Sequence, residues 1–202
     1  DFFIWSIIGV IIGGRTGYVM FYQLNNFILN PVYIIYIWKG GMSFHGGLAG
    51  MVISIFLFSL KNNIKFFALA DLISLVAPIG LFFGRIANFI NTELIGRVTD
   101  FPFAIIYPSV DALPRHPSQL YEALLEGIVL FIILLFVFIK NYPKEKNGKI
   151  SGLFLFFYGT FRFFIEFIRE PDFQIGLILN FFSMGQLLCI PLIFLHLNKL
   201  HL

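Results

Sequence analysis

Charge is what this sequence has least of. Only 12% of its 202 residues are Asp, Glu, Lys or Arg, against 58% hydrophobic, and the mean hydropathy is +0.87. A soluble domain carries roughly 25% charge, and so few ionisable groups cannot cover a water-facing surface. The apolar excess equally excludes a disordered chain, and the shortage of alternating strand-and-turn segments excludes an outer-membrane barrel. Cysteine is nearly missing: Cys189 stands alone, which rules out a disulfide framework and a cysteine-rich metal site. Its apolar surroundings in sequence make it a small core residue. Alanine is scarce too, while 28 Phe are present, a bias expected of AT-rich coding and not a ligand-binding signal. What remains is an integral helical membrane protein.

Six apolar stretches, about 2–24, 44–60, 66–89, 120–139, 153–168 and 177–196, are long enough or nearly so to cross roughly 30 Å of hydrocarbon. The predicted fold is all-α, a polytopic transmembrane bundle forming a single membrane domain over 1–202. Lysines mark the cytoplasmic side. Lys61 and Lys65, the group Lys140, Lys144, Lys146 and Lys149 in the 140–150 loop, and Lys199 fall where an alternating path requires them. The first span then runs outward, and the 92–119 segment, a loop or helix between spans three and four, faces outside. Asp1 is not a Met and would lie inside, so the chain is expected to lack an earlier segment.

All lysines but Lys39 sit on the inner side, and none of the six arginines does. Arg15, Arg85 and Arg162 lie within spans; Arg97, Arg115 and Arg169 belong to the outer half. Arginine offers a planar donor fork for phosphate or carboxylate and stays charged when buried. Counting Asp71, Glu126 and Glu166 as the acids within spans leaves the outer half with surplus cations, which predicts an anion in the site. A phospholipid headgroup is the cheapest anion there, because its tails remain in lipid.

Four constellations carry polar chemistry. In the 13–18 run, Gly13 and Gly17 form a small-xxx-small pair suited to close helix packing, while Arg15 needs a partner or an aqueous cavity at mid-membrane. The 40–50 run sets His45 among glycines at the mouth of the second span, either as an interface residue or as a base for a thiol or hydroxyl. In the 84–97 run, Arg85, Asn88 and, less squarely, Asn91 share a helix face, a donor strip for phosphate oxygens. The local alternative there is an interhelical clamp, such as Glu93 folding back onto Arg85. In the 158–172 run, Tyr158, Arg162, Glu166 and Arg169 form one polar stripe, with Arg162–Glu166 pairing as the local alternative and Pro171 as the stop. The outer segment ends in the 116–122 run, where Ser118 is placed to cap the next helix and His116 has no such local role.

Together the segments GGRTGYVMFY, SFHGGLAG, GRIANFINTELIGR, HPSQLYE and YGTFRFFIEFIREPD resemble the prolipoprotein diacylglyceryl transferases, in the family's order. The resemblance implies a bacterial inner-membrane enzyme with a periplasmic 92–119 segment and an active site toward the outer leaflet. It implies transfer of diacylglyceryl from phosphatidylglycerol to the lipobox cysteine of a preprolipoprotein, with glycerol phosphate leaving. Its partners would be these substrates and membrane lipids, with no nucleic acid, metal or other cofactor. It places Arg85, Asn88, Asn91, Glu93 and Gly96 on phosphatidylglycerol, makes Tyr158 and Arg162 an essential pair and His45 the candidate base, and leaves Arg15, Glu166, Arg169 and His116 in support. A lipid or ion transporter is the alternative, but internal repeats and paired broken helices are both lacking. A CDP-alcohol phosphotransferase would need an Asp-rich metal motif, also missing.

Overall fold

A computed structural model describes residues 2–141, 148–170, 177–178 and 182–197. Asp1, Lys144, Lys146, Pro171, Asp172 and Lys199, on which parts of the reading above rest, lie outside the described residues. The described chain is mainly helical and divides into two compact units, 1–69 and 70–202.

The first unit is built on two packed helices, α1 (Phe2–Tyr22) and α3 (Phe44–Asn62). Glycines let their backbones approach. A Cβ on Gly13 would collide with the Gly46 carbonyl, and one on Gly50 with that of Gly9; Gly17 meets Gly46 and Ser43 in the same way. The packing role expected of Gly13 and Gly17 is therefore what the structure shows. Ser54 donates to Trp5 O at 2.8 Å, and the Gly14 carbonyl accepts from Ser43 N at 2.8 Å. Ser43 also caps α3, accepting from Gly46 N. Between the two helices run the short α2 (Leu24–Leu29) and two 3-10 turns, Pro31–Ile35 and Ile37–Lys39. Gly40 and Gly41 then take positive φ, 76° and 84°, and turn the chain into α3.

Helix α4 (Phe66–Ile90) begins at the end of the first unit and continues into the second, with Pro78 inside it. The second unit adds β1 (Ile105–Ile106) paired antiparallel with β2 (Pro114–Arg115), then a continuous helical run. That run is α5 (Ser118–Glu122), a π-helical turn (Ala123–Val129) and α6 (Leu130–Asn141). Helix α7 (Lys149–Ile165) and helix α8 (Met184–Leu197) complete it. The apolar core gathers Leu130, Leu134 and Ile150, ringed by Leu153, Phe154, Phe157, Tyr158 and Phe161. Asp71 closes the start of α7, accepting from Gly148 N at 2.7 Å and Ser151 N at 2.8 Å. That acid, counted above as a charge within a span, is thus a helix cap. Gly159 brings α7 against α8 at Cys189, Leu192 and Ile193, and Cys189 is buried there, as expected of a small core residue.

The solvent pattern is inverted relative to a soluble protein. Gln119, Glu122 and Glu126 are wholly buried, while Phe3, Phe83, Phe136 and Ile139 are exposed. Charged groups facing inward and large apolar ones outward is the arrangement lipid requires. Among the described residues, three helical stretches are long and apolar enough to cross a membrane: Phe2–Tyr22, Phe66–Ile90 and Ser118–Lys140. Some expected boundaries change. The first span breaks at Gln23, α7 starts at Lys149 and ends at Ile165, and the last stretch opens not as helix but as a hairpin, Leu177–Ile178 on Phe182–Ser183. The segment before α5 contains no helix; it is a short β-hairpin, because backbone pairing there leaves the chain extended.

Candidate functional site

Three arginines and three glutamates meet inside the second unit. Helix α4 supplies Arg85, the α5–π junction Glu122 and Glu126, and the end of α7 Arg162, Glu166 and Arg169. Glu122 is shared. Its Oε2 lies 2.8 Å from Arg85 Nε, and its Oε1 lies 2.9 Å from Arg162 Nη1. Glu126 repeats this more loosely, at 3.1 Å from Arg85 Nη2 and 3.8 Å from Arg162 Nη1. Arg162 Nη2 reaches Glu166 at 2.8 Å, and Arg169 Nη1 stands 3.9 Å from the same carboxylate. Gly185, at the start of α8, comes so close to Glu166 that a Cβ would strike its carboxylate.

The Arg162–Glu166 pairing anticipated from spacing is therefore present. The proposed fold-back of Glu93 onto Arg85 is not: Glu93 accepts instead from Asn88 Nδ2 at 3.0 Å. The cation surplus also fails as counted, because it omitted Glu122, and the buried cluster holds as many carboxylates as guanidiniums. Outside it, Arg115 is held by Asp111 at 2.7 Å and Glu170 at 3.2 Å. The hydrogen bonds from Arg115 hold the Asp111 carboxyl below its ordinary range, and the same contact raises the guanidinium.

Beyond Ile90 the chain makes a strained turn in which Thr92 and Leu94 take φ of 56° and 55°, a region that non-glycine residues rarely occupy. Two wholly buried side chains hold it: Gln119 Nε2 donates to Glu93 O at 2.6 Å, and Ser118 Oγ to Leu94 O at 2.9 Å. Ser118 is thus a clamp on this turn and not the cap of α5, whose N-cap position, Pro117, makes no side-chain capping bond. Tyr107 donates to Gln119 Oε1 at 3.1 Å, and burial raises the pKa of its phenol. Gly96 pairs with His116, N to O at 3.1 Å, and has no room for a Cβ against that carbonyl. Arg97 N donates to Ile168 O and Arg97 Nε to Arg169 O, so the loop before α5 is stitched to the turn that follows α7.

Of the expected site residues, Arg85, Arg162, Glu166 and Arg169 come together. Asn88 pairs with Glu93, and Asn91 lies exposed in the turn past the helix end, off the strip it was expected to share. Tyr158 stacks on Phe154, ring centroids 5.6 Å apart, one turn before Arg162. His116 sets its ring against Phe101 and Tyr121. In the first unit, His45 stands exposed in the opening turn of α3. Arg15 is buried and spends its donors on the carbonyls of Tyr33, Ile34, Gly40 and Gly41 at 2.6–3.2 Å, between the rings of Tyr18 and Tyr33. The polar residues missed were Glu122 and Gln119. Glu122 and Glu126 sit four apart on an otherwise apolar helix, and that spacing was the available signal.

Inward charge, outward phenylalanine and a buried arginine–carboxylate cluster define a helical membrane protein with an internal polar site. A statistical model of the family "Prolipoprotein diacylglyceryl transferase" matches residues 1–200. The phosphatidylglycerol–prolipoprotein diacylglyceryl transferase of Rickettsia akari is 51% identical over 195 residues, spanning 96% of this chain and 75% of that protein. Those of Aeromonas hydrophila and Vibrio parahaemolyticus are each 53% identical, over 96% of this chain and 69% and 70% of theirs. The chain belongs to the prolipoprotein diacylglyceryl transferase family.

Proposed function

We propose that this chain transfers the diacylglyceryl group of phosphatidylglycerol to the cysteine thiol of a preprolipoprotein lipobox, the first step of lipoprotein maturation. Sequence identity above one half across nearly the whole chain carries the reading. The bringing together of Arg85 and Arg162, far apart in sequence, on one buried carboxylate supports it.

The reaction forms a carbon–sulfur bond and breaks the glycerol C–O bond to phosphate. The thiol proton leaves to a base, and the electron pair of the broken bond stays with glycerol phosphate, so no cofactor enters the balance. A cysteine with pKa near 8.5 is mostly protonated at neutral pH; His45 is the candidate base, and nearby guanidiniums are the other way to favour thiolate. Negative charge grows on the departing phosphate, and guanidiniums already fixed in place stabilise it most where it is greatest. Arg85 has the clearest opening: its Nη1 makes no hydrogen bond or ion pair among the described residues, while Nε and Nη2 rest on carboxylates. Asn88 and Glu93, already bonded to each other, would orient glycerol hydroxyls beside it. Gly96 contributes by letting the loop close on His116, and Tyr158 and Arg169 flank Arg162.

The chain would lie in the bacterial inner membrane with six crossings, lysines inside and the arginine site toward the outer leaflet. Purified full-length enzyme incubated with phosphatidylglycerol and a lipobox peptide should add one diacylglyceryl mass to the peptide. An unmodified peptide in the presence of a folded enzyme would sink the reading. In the same assay His45→Gln separates the two routes to thiolate: near-wild-type turnover would remove His45 as base.

A further inference from the structure

Glu122 and Glu126 do more than hold two arginines apart. Both are wholly buried, and they border or occupy the Ala123–Val129 stretch of π geometry. In an α-helix, residues four apart are offset by about 40° around the axis; a wider π turn changes that angle, and such turns occur mostly at functional positions. Here it leaves both carboxylates facing both guanidiniums. The two acids differ in grip. Glu122 touches each arginine at 2.8–2.9 Å, whereas Glu126 stands at 3.1 and 3.8 Å. Several of these contacts are close without an aligned N–H: of the four, only Arg85 Nη2 to Glu126 meets hydrogen-bond geometry. Both carboxylates thus set the charge around the two arginines.

We infer that Glu126, seated by the π turn, is a positioning counter-charge that limits how tightly the Arg85–Arg162 pair holds a phosphate monoester. The inference rests on the diacylglyceryl-transfer reading. Two buried guanidiniums alone would bind the leaving glycerol phosphate, with about −1.5 to −2 charges at neutral pH, more strongly than the singly charged phosphodiester substrate. Tight product binding slows turnover without helping the chemical step. Two carboxylates offset the pair's two positive charges, leaving oriented donors for the transition state but little net field to retain product.

The test uses purified full-length enzyme, phosphatidylglycerol, a lipobox peptide and sn-glycerol 1-phosphate as inhibitor. E126Q keeps shape and an acceptor for Arg85 Nη2 but removes the charge. Its inhibition constant for glycerol phosphate should fall about tenfold, equivalent to ~1.4 kcal/mol, with kcat lowered and KM for phosphatidylglycerol not raised. E126D keeps the charge and should retain the wild-type inhibition constant. An unchanged or weaker inhibition in E126Q would overturn the inference, as would equal tightening in E126D. Loss of the folded state in E126Q, read from its melting transition, would also overturn it by making Glu126 a structural strut. Wild-type enzyme that forms no peptide adduct would instead strike the transfer reading itself.

Discussion

Arg15 in the first unit and Arg162 in the second are almost equally hidden, 2% and 8% exposed, and are satisfied in opposite ways. Arg15 is bound by backbone carbonyls of the 33–41 segment and flanked by tyrosine rings. Carbonyl groups belong to the chain path, so that arginine serves as a pin for the connection between α1 and α3. Arg162 is bound by side-chain carboxylates. A phosphate is chemically equivalent to a carboxylate as an acceptor for a guanidinium, so contacts of this second kind can be exchanged during a reaction. Burial alone does not set the two arginines apart; the identity of their acceptors does, and it is on this contrast that the proposed reading assigns chemistry to Arg162.

The largest way to break this contrast is Glu122→Ala. It strips the shared acceptor from two buried guanidiniums and should cost about 3–5 kcal/mol, seen as a lower melting transition in detergent together with lost turnover. The helix packing of the first unit is broken differently. Gly13→Val drives a side chain into the Gly46 carbonyl, and overpacking of this kind costs about 1–3 kcal/mol or more; the expected sign is a stability loss with any surviving folded enzyme still active. Asp71→Ala should be smaller, about 1 kcal/mol, the worth of one helix cap, measurable by thermal melting and by faster amide exchange at Gly148 and Ser151. The smallest effect concerns the half-buried Asp111–Arg115 pair. Its acid has a lowered pKa in the folded state, so its contribution is present above the ordinary aspartate range and fades as pH falls through the lowered value. Carboxyl carbon shifts of Asp111 should therefore titrate below the usual range, and Arg115→Gln should bring them back to it.

Much of this was legible in the sequence. Low charge and long apolar runs identified a helical membrane chain, and the stepping of Arg162, Glu166 and Arg169 identified one wall of the cluster. The Gly13–Gly17 pair read correctly as close packing because such contacts depend on the residue's own missing side chain, whereas Gly46 and Gly50, which meet it, were read as the setting of His45. What escaped depended on long-range geometry. Asp71 caps a helix whose N-cap residue, Gly148, lies 77 residues later, and no local pattern links them. Glu122 stands in the 116–122 run with no role read for it there, and its burial between two arginines follows only once α4 and α7 are placed beside α5. Ser118 looked like a cap because capping is local, yet its hydroxyl goes to Leu94 O. The π turn has no sequence signature, and the positive φ of Thr92 and Leu94 runs against their residue types.

The most direct test of the account is turnover of a lipobox peptide, followed by mass, in Arg162→Lys beside Arg15→Lys, each normalised to folded enzyme. Lysine keeps the charge but loses the planar fork. Arg162→Lys should retain its fold and lose at least about 100-fold in kcat, the scale of removing one transition-state donor, while Arg15→Lys should lose mainly stability. Wild-type turnover in folded Arg162→Lys would contradict the account.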